Sequence, residues 1–185
     1  QKISSMERED YLRHIQALQA QIHLGTFYEI NYCHSMRMEG MQVNPFEIWL
    51  DLNAHSQAPF SAYYRNHSFS LCCASPERFV ARRDNKIICQ PIKGTNRRLA
   101  DNEANIQQMQ FLSQSEKERA ENIMIVDLMR NDLGRICKSG TIVVEELCEV
   151  YPFAHVNQMI STISGNINAD TCLTDVMQAL FPPGS

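Results

Sequence analysis

The chain has 185 residues, of which 21% are charged and 44% hydrophobic, and its formal net charge is −4. The length allows one buried core, and the acidic balance with scattered basic residues excludes the basic surface of a nucleic-acid-binding domain. Because no apolar run reaches the roughly 18 residues that a membrane span needs, we expect one cytoplasmic domain over 1–185 with neither a membrane nor nucleic acid as partner.

The first predicted elements are a long helix and a strand. The helix is expected over 4–25, with Ser4-x-x-Glu7 as a capping box, apolar residues every three or four positions, and Gly25 as its stop. The partial alternation of FYEINYCHSMRM, at 27–38, predicts a strand.

The middle of the chain predicts a helix and two further strands. An aromatic-rich helix followed by a loop is expected within 44–66. The segments FSLCCAS at 69–75 and KIICQP at 86–91 are bounded by polar or turn residues, which is typical of strands.

A second long helix is predicted over 115–134, with Ser115-x-x-Glu118 as its capping box. The rest of the chain predicts two strands, at 140–147 and 155–165, and a last helix at 174–181 that Pro182 and Pro183 stop. Strands in groups, with helices between the groups rather than after every strand, predict an α+β fold.

The seven cysteines are odd in number, none is spaced as Cys-x-x-Cys, and most have apolar neighbours. This pattern is typical of reduced, buried thiols and gives no zinc-ligand spacing.

Glu121 is the first candidate site residue. It precedes the apolar run 123–126, which is apolar on every side of the predicted helix, so we expect this stretch to be buried and Glu121 to be partly desolvated. Such a carboxylate needs a cation. The residues leave two open: Lys117, four positions back on the same face, or a hard divalent ion such as Mg²⁺.

Glu77 and Lys93 are the other two candidates. Glu77 ends a predicted strand, where it either forms a turn ion pair with Arg78 or faces a cleft, and loss of solvent would then suit it to general-acid work. Lys93 stands between an apolar strand and a Gly-Thr corner. It either opens a solvated loop or points into a dry pocket as a neutral amine, the form that acts as a nucleophile.

Four segments, in this order and at these spacings, resemble the chorismate-using enzymes, among them the anthranilate, aminodeoxychorismate, isochorismate and salicylate synthases. They are SPERF at 75–79, QPIKGT at 90–95, SEKERAENIMIVDLMRNDLGR at 115–135 and FPPGS at 181–185. The resemblance implies antiparallel sheets wrapped by helices, Mg²⁺ as cofactor and chorismate as substrate. Members of this family usually continue well beyond an FPGGS-like segment. The resemblance therefore also implies a partial domain, with a second metal carboxylate beyond Ser185 and with Pro183 in place of a glycine.

Within the family, anthranilate synthases typically read PIAGT where aminodeoxychorismate synthases read PIKGT, so Lys93 makes the resemblance closest to component I of aminodeoxychorismate synthase. It implies that chorismate and ammonia give 4-amino-4-deoxychorismate for para-aminobenzoate and folate synthesis, with ammonia from a glutamine amidotransferase subunit. It also implies Lys93 as the nucleophile at C2, Glu77 as the general acid for the departing C4 hydroxyl and Glu121 as a Mg²⁺ ligand.

Three further residues are implied in substrate binding. Gly94 lets a ligand approach the backbone, and Thr95 offers a hydroxyl. Gln158 stands where the family commonly has a histidine, and His155, three positions earlier, is expected to face the other side of the strand. Two alternatives stay open: anthranilate synthase component I, and a catalytically silent chorismate-binding module that kept the fold.

Overall fold

The computed structural model describes residues 2–28 and 30–182. The predicted stop at Pro183 and the family-motif residues Gly184 and Ser185 lie outside the described residues. The chain divides into two compact units, Gln1–Asn44 and Pro45–Ser185, and a single catalytic domain over 1–185 stays a prediction.

The first unit pairs one helix with a two-stranded ribbon: β1 (Lys2–Ser4), α1 (Arg8–His23) and β2 (Arg37–Glu39), with β1 and β2 antiparallel. The capping box predicted at Ser4 is wrong, because Ser4 belongs to β1 and Glu7 is the N-cap without a side-chain hydrogen bond. The predicted stop is confirmed: the helix ends at His23 and Gly25 follows with φ +74°.

The strand predicted over 27–38 is wrong for residues 27–28 and 30–36, while residue 29 lies outside the described residues and β2 begins at Arg37. Partial alternation does not make a strand without a neighbour to complete the ladder. In this segment Tyr32 instead contacts α1, with its hydroxyl 2.6 Å from Nδ1 of His14.

The second unit begins with a helix on a hairpin: α2 (Pro45–Ser56), β3 (Phe60–Arg65) and β4 (Ser70–Ser75), in which the strands are antiparallel. The helix and β4 are confirmed. The loop predicted after the helix is wrong, because residues 60–65 pair along the whole of β4 and Nε1 of Trp49 in α2 donates to the Ser61 hydroxyl at 3.1 Å.

The main sheet of this unit has five antiparallel strands, which confirms the predicted α+β class. The strands are β5 (Arg78–Arg83), β6 (Lys86–Gln90), β7 (Ile92–Arg97), β8 (Val143–Pro152) and β9 (Val156–Asn166). The strands β6 and β7 follow one another along one edge of β9, separated by Pro91, and β8 takes the other edge. β9 is therefore the centre of the sheet.

Three helices complete the unit: α3 (Asn102–Gln114), α4 (Glu116–Gly134) and α5 (Leu173–Leu180). The N-cap half of the predicted capping box is confirmed, since the Ser115 hydroxyl accepts the Glu118 N–H at 3.4 Å. The other half is wrong, because the Ser115 N–H donates to the Leu112 carbonyl. The apolar core lies between α4, α5 and the sheet. Its fully or nearly fully buried members include Ile87, Cys89, Ile125, Val126, Leu133, Ile163 and Leu180. None of the described helices is long and apolar enough to cross a bilayer.

The two faces of β9 have different neighbours. Ile163 belongs to the core with α4, and the Asn157 amide bonds to Asn105 of α3 at 3.0 Å. Side chains alternate along a strand, so Gln158 faces away from these helices. The expectation that the whole run 123–126 is buried is wrong, because Ile123 is 39% exposed on the outer side of α4.

Candidate functional site

Lys93 lies in a β-bulge rather than at the strand-to-turn hinge that its sequence predicts. The register of β7 on β9 pairs Ile92 with Ile160 and Thr95 with Gln158, and it shifts between these two pairs. Two residues of β7, Lys93 and Gly94, therefore oppose Met159 alone, which is the geometry of a bulge. Bulges redirect a side chain, and this one sets the direction of Lys93.

Gly94 gives the bulge its backbone conformation and its close contact with α4. Its φ is +95°, and a Cβ placed there would lie 3.0 Å from Cβ of Glu118 and 3.3 Å from Cβ of Met159. Only glycine meets both conditions without strain. The carboxylate of Glu118 is also close, with Oε2 at 3.3 Å from the same point, so the first turn of α4 carries an acidic group to the bulge.

The carboxylate of Glu77 is tied to the strand that carries Lys93. Its Oε1 accepts the Ile92 N–H at 3.1 Å, and its own N–H donates to the Ser75 hydroxyl at 3.2 Å. The turn ion pair with Arg78 is replaced, because the Arg78 guanidinium lies over the ring of Phe60 at 5.0 Å from the centroid. The structure thus brings Glu77 next to the residue that precedes Lys93.

Thr95 and Gln158 are directly opposite one another on β7 and β9, so their side chains share the face that points away from α3 and α4. Gln158 is 8% exposed, and its buried Oε1 has no hydrogen-bond partner among the described residues. A buried acceptor without a donor is uncommon in folded proteins and suits a ligand that donates. His155 precedes β9, is exposed and contacts the His55 carbonyl through Nε2 at 2.8 Å.

Glu121 is half-buried in the second turn of α4 and shares a cation with Glu118. Nζ of Lys117 lies 3.8 Å from Oε1 of Glu121 and 3.7 Å from Oε1 of Glu118. The ion pair that the sequence left open as one alternative is therefore formed, on a lysine whose side chain is 76% exposed. One cation already lies within 4 Å of both carboxylates. Within the described ranges, however, no group of three or more Asp, Glu, His or Cys is arranged to hold a metal.

Asn122 is a part of the site that sequence reasoning missed. It is fully buried, and its Nδ2 donates to the carbonyls of Lys93 at 3.4 Å and of Met159 at 3.3 Å. Its Oδ1 accepts from the hydroxyl of Ser161. The sequence signal was a single amide directly before the apolar run 123–126 of the helix, where a polar side chain needs buried partners.

The seven cysteines are all free thiols, but only Cys89 and Cys148 are buried. Burial raises the pKa of Cys89 to about 12, and it also raises the pKa of Cys148. These two are therefore inert thiols in the core. The prediction of mostly buried cysteines is wrong for the exposed Cys33 and Cys172.

The sequence of the chain matches the model of the chorismate binding enzyme family over residues 1–185. It is 40% identical over 182 residues to aminodeoxychorismate synthase component 1 of Klebsiella aerogenes and 42% identical over 184 residues to that of Salmonella typhimurium. In both cases the match covers 98% of this chain and 40% of the relative. The chain thus spans about 40% of the length of these curated relatives.

Two solved structures share the fold. Anthranilate synthase component I from Streptococcus pneumoniae superposes with a TM-score of 0.87 at 23% identity, covering 99% of this chain and 40% of that one. A putative 2,3-dihydroxybenzoate-specific isochorismate synthase from Bacillus anthracis superposes with a TM-score of 0.76 at 20% identity, covering 98% and 50%. The chain belongs to the chorismate binding enzyme family.

Proposed function

We propose that the full-length protein containing this chain is component 1 of an aminodeoxychorismate synthase, which converts chorismate and ammonia to 4-amino-4-deoxychorismate for para-aminobenzoate and folate synthesis. The relatives that match nearly the whole chain at 40% and 42% identity carry this name. The observation that carries the proposal is Lys93 in a bulge of β7, beside the backbone N–H that holds the Glu77 carboxylate.

Lys93 acts as the nucleophile. Its neutral amine forms a bond from Nζ to C2 of chorismate, both ring double bonds shift by one position, and the C4–O bond breaks. Ammonia then forms a bond to C4, both double bonds shift back, and the C2–Nζ bond breaks to return the neutral amine. A bulged backbone supports this role because it fixes the Cα position of the nucleophile, and precise positioning contributes strongly to rate.

Glu77 acts as the proton carrier. Protonated Glu77 gives its proton to the C4 hydroxyl, which leaves as water, and the carboxylate then takes a proton from the ammonium group formed at C4. The Ile92 N–H occupies Oε1 at 3.1 Å, which leaves Oε2 to handle the proton. This assignment keeps charge and protons balanced over one turnover.

Glu121 and Glu118 would hold Mg²⁺. Their carboxylates lie within 4 Å of one ammonium, and hard oxygen donors in ones and twos, completed by substrate oxygens, are what Mg²⁺ takes in proteins. The donor set fits the ion. When bound, Mg²⁺ would supply positive charge for a carboxylate of the substrate.

The substrate contacts are assigned to Gly94, Thr95 and Gln158. Gly94 contributes through its backbone, because the space beside its Cα is filled by Glu118 and Met159. Thr95 and Gln158 present a hydroxyl and an amide on one sheet face. The orphaned Oε1 of Gln158 would accept from a hydroxyl or amino hydrogen of the ligand. We further assign the ammonia supply to a glutamine amidotransferase subunit, and the site of action to the cytoplasm.

Anthranilate synthase component I and a silent chorismate-binding module are the rival functions, and the products separate all three. The full-length protein and its Lys93→Ala variant are incubated with chorismate, ammonia and Mg²⁺, and the products are resolved by chromatography. Lys138→Ala, which alters an exposed lysine, is the matched control. We expect C4-aminated product from the wild type and the control, and its loss in Lys93→Ala, with residual amination at C2.

Wild-type product aminated at C2 would establish the anthranilate reaction instead. Chorismate binding without any amination would establish the silent module. Undiminished C4 product from Lys93→Ala would refute the covalent role of this lysine.

A further inference from the structure

The backbone of Lys93 is held by one buried amide from α4. The nitrogen Nδ2 of Asn122 donates to the Lys93 carbonyl at 3.4 Å and to the Met159 carbonyl at 3.3 Å. The first carbonyl belongs to the bulge on β7, and the second belongs to the residue of β9 that opposes the bulge. Asn122 therefore joins both strands where their register is broken.

The orientation of the Asn122 amide is fixed by its other end. Oδ1 accepts from the Ser161 hydroxyl, and that hydroxyl accepts the Cys148 N–H at 2.9 Å. The thiol of Cys148 also lies 3.7 Å from Oδ1. Since carbonyl oxygens only accept, the NH₂ group must point at Lys93 and Met159, and a carboxylate in this place would face both carbonyls without a proton.

The Ser161 link connects the bulge of β7 to a second irregularity, in β8. The register of β8 on β9 shifts between Glu146 and Glu149, and Cys148 between them has φ +59°. Asn122 is thus hydrogen-bonded to the bulge of β7 directly and to the irregularity of β8 through Ser161, on the two edges of β9. The arrangement leaves little freedom for the bulge to slide against α4.

We infer that Asn122 is a positioning residue, which fixes the Lys93 backbone relative to the carboxylates on the first two turns of α4. Its sequence neighbour is Glu121, and Glu118 one turn earlier already contacts Gly94. One side chain therefore couples the helix that carries the acidic groups to the strand that carries the amine. This inference rests on the proposed function for its effect on turnover, but not for its effect on the backbone.

The test compares Asn122→Ala with Asn105→Ala in the full-length protein. Asn105 is also a buried amide, on α3, and its hydrogen-bonded partner Asn157 reaches β7 at Asn96, beyond the bulge residues. We expect kcat for C4 amination to fall about a hundredfold in Asn122→Ala. The KM for chorismate is expected to stay within about threefold, and the share of C2 product to rise. Asn105→Ala is expected to lose stability while its product ratio stays unchanged.

Hydrogen exchange separates a failure of this inference from a failure of the proposed function. In Asn122→Ala the amides of 92–94 are expected to exchange at least tenfold faster than in the wild type, relative to the amides of β3 in the same variant and whatever reaction the protein catalyses. In Asn105→Ala the amides of 92–94 are not expected to change relative to those of β3. If Asn122→Ala does not fold, Ser161→Ala is expected to show the same changes at smaller size. This variant removes the hydroxyl that orients the amide and that also accepts the Cys148 N–H.

The inference would be overturned if exchange over 92–94 relative to β3 and the product ratio were both unchanged in Asn122→Ala, or in Ser161→Ala where Asn122→Ala does not fold. Equal losses of kcat in Asn122→Ala and Asn105→Ala at matched stability would also overturn it. Loss of C4 product in Asn122→Ala but not in Lys93→Ala would overturn the proposed function and leave the backbone role in place.

Discussion

Replacing Gly94 by alanine perturbs the bulge in two ways whose sizes can be separated. The φ of +95° places an L-residue in the left-handed half of backbone space, at a cost of about 1–2 kcal/mol. The new methyl would also meet Cβ of Glu118 at 3.0 Å and Cβ of Met159 at 3.3 Å. Neither of these is the end of a flexible chain, so the backbone must shift, at a cost of about 1–3 kcal/mol.

The expected loss for Gly94→Ala is therefore about 2–5 kcal/mol, and three other glycines isolate its two components. Gly140 has φ +77° with no atom near its would-be Cβ, so Gly140→Ala measures the backbone cost alone. Gly165 has no positive φ but would place Cβ 2.6 Å from Sγ of Cys137, so Gly165→Ala measures crowding alone. Gly134→Ala meets neither condition and is expected to be neutral or stabilising by up to about 1 kcal/mol.

Urea unfolding of the four full-length variants, with chorismate turnover measured under native conditions, is the assay. With a slope of about 2 kcal/mol per molar urea, Gly94→Ala is expected to lower the midpoint by about 1–2.5 M. Turnover is expected to fall in this variant and not in Gly134→Ala, because only the former moves Lys93. If Gly94→Ala behaves like Gly140→Ala in both measurements, the packing of the bulge against α4 does not constrain the site and the reasoning fails.

Two further predictions concern carboxylates. Glu121→Ala is expected to remove Mg²⁺-dependent turnover and to weaken Mg²⁺ binding, measured by calorimetry, at least tenfold. The control, Glu116→Ala in the first turn of α4, is expected to change neither. Near-normal activity of Glu121→Ala across a Mg²⁺ titration would contradict the ligand assignment. Hydrogen bonds from Lys86 and Ser164 hold the pKa of Glu145 below its usual range, so its stabilising effect is present at neutral pH and is lost as the pH falls through the lowered pKa. Because both side chains of the pair are more than a third exposed, Glu145→Gln is expected to lower the free energy of unfolding by at most about 1 kcal/mol at pH 7 and not at all in strong acid. A difference in unfolding free energy between wild type and variant that grows on acidification would contradict this.

The elements that the sequence predicts correctly are those with local signals. The Ser115 cap, the apolar run of α4 and the glycine after α1 are all readable within a few residues. Helix α3 was missed because its segment NEANIQQMQFLSQ buries only Asn105 and Leu112 and has no apolar stripe. Strand β5, RFVARR, was missed because half of its residues are arginines. Both are held by partners that the local pattern does not reveal.

The candidate site divides in the same way. Glu77, Lys93 and Glu121 are predicted from their local settings and then from motifs that resemble a known family, and their roles stay predictions. Asn122 was missed because its contacts join α4 to β7 and β9, at separations of 29 and 37 residues. Glu118 was read only as half of a capping box, whereas its side chain also packs against Gly94. No local rule predicts which distant backbone a helix will touch.

The placement of β9 at the centre of the sheet has a consequence for how the protein matures. β9 is the last of the five strands to leave the ribosome, yet β6, β7 and β8 all take their ladder partners from it. The edge of β6 that faces β9 is therefore unpaired until Asn166, the ladder partner of Lys86, has been synthesised. Such distant pairings close slowly, because a long loop must be ordered before any contact forms. Until then the apolar side chains of β6 stay exposed on a nascent chain, which is the state that chaperones bind.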